Sequence, residues 1–148
     1  MNDSHDIDVL NPLIETTLDS MKGFSEAAED SDGQYTQLFR EMAGERSAVA
    51  SQLQDCVTQL GGEPETHSSF TAAAHRGFMN LKESLMGSDE RAIIEEVERG
   101  EDYIKGKFES ALQDGDLSPE ARQVIQEGYQ SVRKGHDRVS AIKHRMPD

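Results

Sequence analysis

Residues 34–64, QYTQLFREMAGERSAVASQLQDCVTQLGGEP, decide the fold. Within them Tyr35, Leu38, Met42, Glu45, Val49, Leu53, Cys56 and Leu60 step by three and four, the spacing that aligns one face of an α-helix. Gly61-Gly62 followed by Pro64 ends the run, because glycine takes the left-handed closing turn and proline cannot continue a helix. At ~1.5 Å per residue, a helix over residues 34–60 is roughly 40 Å long.

The same spacing extends in both directions. Upstream, Asn11-Pro12 reads as an N-cap with a first-turn proline. A first helix is expected from there, with Ile14, Leu18 or Thr17, Met21, Ser25 and Ala28 on one face. Residues 1–10 are then expected to form a flexible N-terminal segment. Glu29 to Gly33 breaks the pattern, and Ser31 or Asp32 is placed to cap the long helix. Downstream, Phe70, Ala73, Ala74, Phe78, Leu81 and Leu85 predict a shorter helix over 69–86. After Gly87-Ser88-Asp89, with Ser88 or Asp89 as cap, Ile94, Val97, Glu101, Ile104, Phe108 and Ala111 predict a helix over 90–113. Asp114-Gly115-Asp116 is a turn, and Ser118-Pro119-Glu120 restarts a helix that runs to 145 on Ile125, Val132, His136, Val139 and Ile142. Period-two alternation and β-branched blocks are missing, so the fold class is all-α, in a single domain over 1–148.

Composition narrows the function classes. The 148 residues hold 15 Lys+Arg against 29 Asp+Glu, a net charge of −14, which repels phosphate backbones and argues against nucleic-acid partners. Such acidity favours solubility and is also what a saline habitat selects. Only 34% of residues are apolar, and no run approaches the ~18 needed to span a bilayer. Basic residues are too few for a membrane-surface helix. The acidic start MNDSHDIDVL does not read as a secretory signal, and the single Cys56 forms no internal disulfide, so a cytoplasmic setting is expected.

Connection lengths set the topology. Short turns near 29–33 and 114–118 make antiparallel pairs of the first two and last two long helices. The 61–88 link is long enough to return along the bundle. Two antiparallel hairpins joined by one long crossover, with a short helix inside it, make a ferritin-like four-helix bundle.

Polar residues on the apolar faces carry the chemistry. An acid at a core position needs a partner or a metal. Glu45 falls between Met42 and Val49, Glu101 between Val97 and Ile104, and His136 between Val132 and Val139; Glu15 and Glu98 flank the faces of their helices. A ferritin-like di-iron site takes one Glu from each of two helices and a Glu-x-x-His from each of the others, since residues three apart share a helix face. Here Glu45-x-x-Ala48 and Arg133-x-x-His136 are each half of that motif. The candidate metal ligands are Glu15, Glu45, Glu98, Glu101 and His136, for iron or manganese. The competing reading closes the acids with arginines, for which Arg46, Arg99 and Arg133 are candidates. Mid-helix glycines at 23, 44, 100, 106, 128 and 135 imply close helix approach or local bulges.

Several runs point to one family: Leu10-Asn11-Pro12-Leu13-Ile14-Glu15-Thr16, Leu60-Gly61-Gly62-Glu63-Pro64, His75-Arg76-Gly77-Phe78-Met79-Asn80-Leu81-Lys82 and Glu98-Arg99-Gly100-Glu101-Asp102. With His136-Asp137-Arg138-Val139 they resemble bacterial domain-of-unknown-function family 2383, small bundles of the ferritin-like superfamily. The resemblance implies a bacterial cytoplasmic bundle without an assigned activity. Two function classes follow. One is a non-enzymatic interaction or stress-related bundle with a degenerate carboxylate/His site; the other is an iron- or manganese-binding protein with ferroxidase or peroxide-linked activity. A homo-oligomer is expected, with Phe70 and Phe78 of the crossover as a candidate apolar surface.

Overall fold

A computed structural model of the chain describes residues 3–31, 33–69, 71–87 and 89–146, and the expectations placed on Asp32, Phe70 and Ser88 lie outside these. Five helices follow in order: α1 (Asp3–Asp30), α2 (Thr36–Gln59), α3 (Ala72–Gly87), α4 (Glu90–Leu112) and α5 (Pro119–Arg145). Among the described residues there is no strand, and no helix is long and apolar enough to cross a membrane. The chain is all-α. α1 packs along α2 and α4 along α5, and α2 against α5 joins the two hairpins. α3 lies in the crossover and rests on α1 and α4.

The punctuation expected at three helix ends is present. Gly61 takes φ +85°, and the Gly61 and Gly62 N–H groups close onto the Thr58 and Val57 carbonyls. Asp89 caps α4, its carboxylate accepting from the Arg91 and Ala92 N–H groups. Ser118 caps α5 ahead of Pro119 and accepts from the Ala121 N–H. α2 departs from expectation, since its N-cap residue is Tyr35, which makes no side-chain cap, and Ser31 instead hydrogen-bonds the Thr36 hydroxyl.

The start of α1 corrects the sequence reading. The helix begins at Asp3 and runs through Pro12, with Asp6 and Leu10 buried, so residues 3–10 are not a loose segment. Asn11 does not cap the helix. Its amide donates to the Glu63 carbonyl and accepts from the Glu65 N–H, tying the crossover to α1. A proline ring fits within a helix where tertiary contacts outweigh the lost backbone bond.

The interior divides into two apolar clusters. One holds Leu10, Ile14, Val49, Leu53, Ile104, Phe108, Ile125 and Val132; the other holds Phe24, Phe39, Met42, Ile94, Val97 and Val139. Every long helix crosses from one cluster to the other, and at each crossing a non-apolar position stands between them: Ser20, Arg46, Glu101 and Gly135.

Candidate functional site

That intermediate layer is filled by a salt bridge. Arg46 is fully buried on α2 and Glu101 is 1% exposed on α4. The guanidinium meets the carboxylate bidentately, Nη1 donating to Oε1 at 2.8 Å and Nη2 to Oε2 at 2.6 Å. Nη1 also donates to the Ser20 hydroxyl on α1 at 2.7 Å, and the guanidinium lies 5.6 Å from the centroid of the Phe24 ring. α5 contributes space instead of a side chain. A Cβ at Gly135 would come within 2.8 Å of Arg46 Nη2, 3.0 Å of Met42 Cε and 3.1 Å of Glu101 Oε2. Among the described residues no acceptor reaches Arg46 Nε, which leaves one buried donor unsatisfied.

The physical meaning follows from desolvation. Two charges removed from water lose several kcal/mol each, recovered only when geometry is good and both partners are present. Bidentate contact, a third hydrogen bond and an aromatic face meet those conditions here. The pair links α2 to α4, which otherwise sit across the bundle, and Ser20 draws in α1.

The five predicted ligands fare differently. Glu101 points inward as expected. Glu45 is exposed, and the buried position on its helix belongs to its neighbour Arg46. Glu15 is half-buried on α1. Glu98 is half-buried and accepts from Lys143 Nζ at 2.9 Å, a contact that raises the lysine above its ordinary value. His136 is half-buried, its Nε2 donating to Asp102 Oδ1 at 2.6 Å. No three of the five bring ligand atoms close enough for one cation; among the described residues only His5, Asp114 and Asp116 do so, at the start of α1 and the α4–α5 turn. Ala48 and Arg133, where the di-metal pattern would have a His and a Glu, are both exposed. Of the arginines considered as partners, Arg99 pairs with Glu96 and Arg133 approaches Asp137 at 4.0 Å, both on the surface.

A family model described as domain of unknown function (DUF2383) matches residues 5–114, well over half of the chain. The chain belongs to this family. The DUF2383 match takes in Ser20, Arg46, Glu101 and the crossover, and ends at Asp114, so Gly135 and His136 lie beyond it. No curated protein matches the chain.

A second feature adjoins the pair. A cavity of about 310 Å³ opens between α1, α3 and α4, with Ser20, Phe24 and Glu101 in its wall. Sequence reading missed it, because it depends on how α3 lies across two helices that are distant in the chain.

Proposed function

We propose that this DUF2383 chain is a ferritin-like bundle in which the layer where a ferritin-like di-iron protein would hold metal is closed by a salt bridge, and that it acts by interaction without redox catalysis. The observation that carries the reading is the occupant of that layer. Where several carboxylates and imidazoles would have to converge on a cation, Glu101 meets the Arg46 guanidinium. The donor set does not fit a di-metal centre: Arg46, Glu101 and Asp6 are the buried charged side chains among the described residues, and Asp6 is engaged at the Ser118 N–H. A guanidinium beside the remaining carboxylate also supplies the positive charge that a metal would. The resemblance of its sequence runs to this family supports a bacterial cytoplasmic setting.

The test is direct. Purified protein titrated with Fe²⁺ under air, followed at ferric absorbance, is expected to oxidise iron no faster than buffer, with a melting curve unchanged by EDTA. Iron or manganese that raises the melting temperature stoichiometrically, with the effect lost in Glu101→Ala, would overturn the reading.

A further inference from the structure

We propose that the cavity between α1, α3 and α4 is a binding site for a small aromatic carboxylate, its rings inside and its anionic head at the mouth beside Arg76. The inference is independent of whether the interior layer ever holds metal.

Size and lining give the body of the ligand. At about 310 Å³ the cavity is roughly twice the ~150 Å³ of an apolar cavity that holds benzene, so a two-ring system fits. Gly23, Ala74, Phe78 and Leu81 supply accessible apolar surface, with the Phe78 ring for offset or edge contact, and the buried Phe24, Val97 and Ile104 lie behind them.

Charge gives the head. Three acids line the wall, and each is already engaged. Asp19 accepts from the Ser69 N–H and hydroxyl, Glu96 from Arg99, and Glu101 from Arg46. Arg76, exposed in the same wall, has no hydrogen bond or ion pair among the described residues. Asp19 keeps its negative charge behind uncharged donors, and Arg76 is the cation of this wall that none of its three acids takes up. An anion there gains a partner without giving up a bond already made.

The packing of α3 supports an occupant. Phe78, Leu81 and Leu85 face the bundle, and the Phe78 ring sits where a Cβ at Gly23 would come within 2.8 Å. Yet no residue of α3 is buried. Leu81 and Leu85 pack on the second apolar cluster only in part, and an aromatic body in the adjoining cavity would add to the surface that α3 covers.

Titration with 2-naphthoate, read by its own emission over a chain without tryptophan, tests the proposal. Saturable one-to-one binding is expected, with slowed hydrogen exchange confined to α3 and its contacts. Arg76→Glu is expected to weaken 2-naphthoate by about tenfold and to favour 2-naphthylmethylammonium instead. Ala74→Leu, which fills the cavity, is expected to weaken both with the far-UV spectrum unchanged. Should Ala74→Leu fail to fold, the surface variant Arg76→Glu decides alone. No saturable binding into the millimolar range, or the ammonium probe binding the native chain as well as the carboxylate, would overturn it.

Discussion

At the residue scale, the glycines separate by what surrounds them. Gly135 leaves room for the Arg46–Glu101 pair, Gly128 for the Phe108 ring and Gly23 for Phe78, whereas Gly44, Gly100 and Gly106 have open space where a Cβ would go. Opposite outcomes are therefore expected from the same substitution. Gly100→Ala removes backbone freedom from the unfolded chain and is expected to stabilise by about 0.5–1 kcal/mol in urea unfolding. Gly135→Ala gains the same helix preference but forces the buried pair apart, for an expected net loss of about 1–3 kcal/mol. Equal effects at the two sites would show that Gly135 is not a packing position.

The residue scale is also where the sequence is least legible. From Met42 to Val49 the steps 42–45–49 and 42–46–49 are equally helical, so spacing does not choose between Glu45 and Arg46. A long basic side chain looks like a surface residue, yet its aliphatic stem buries well once its head is paired. The signal lay elsewhere: Arg46 stands three, four and seven residues before Val49, Ala50 and Leu53, and Glu101 on its own apolar seam asks for a cation. On α1 the same one-residue ambiguity places Phe24, not Ser25, inside.

At the element scale, helix identity and most boundaries were readable because they depend on local chemistry: Gly61, Asp89, Ser118 and Pro119 act within their own turns. α1 was misjudged at its start because residues 3–10 are held by distant partners. Asp6 accepts from the Ser118 N–H at 3.0 Å, and His5 donates to Asp114 at 2.9 Å. α3 is the opposite case, a helix with clear periodicity in which no residue is fully buried and Leu81 and Leu85 are covered only in part. It is tethered through Ser69, whose N–H and hydroxyl reach Asp19. Few buried contacts mean a low local opening energy, so the α3 amides are expected to exchange much faster than those of α2. Asp19→Ala is expected to accelerate α3 further and leave α2 unchanged; equal protection of both helices would contradict this.

At the scale of the whole molecule, His5 and Asp114 clasp the beginning of α1 to the α4–α5 turn, and this clasp responds to pH. Donating to Asp114 is the main reason the His5 pKa is raised, with Asp114, Asp116 and Asp6 adding their charge. Its contribution is complete below the unfolded value of ~6.5 and fades as pH rises through the raised folded value. Asp114 is lowered, first by the Asp116 N–H and then by His5. Its contribution holds above the unfolded value of ~3.9 and fades as pH falls through the lowered folded value. The clasp is thus strongest from about pH 4 to 6.5. The melting temperature of the native chain minus that of His5→Gln is expected to be largest near pH 5.5 and to shrink by pH 8. A difference constant from pH 5 to 8 would show that His5 acts through packing alone.

The two apolar clusters, joined by one charged layer, give the bundle its central feature, and a double-mutant cycle in urea probes that layer. Arg46→Met strands a buried carboxylate and is expected to cost about 3–5 kcal/mol, as is Glu101→Leu for the stranded guanidinium. Arg46→Met combined with Glu101→Leu replaces the pair with apolar volume and is expected to return to within about 1 kcal/mol of the native chain, or above it. Single losses that simply add, or an Arg46→Met protein as stable as the native one, would mean that the two side chains do not close the interior together.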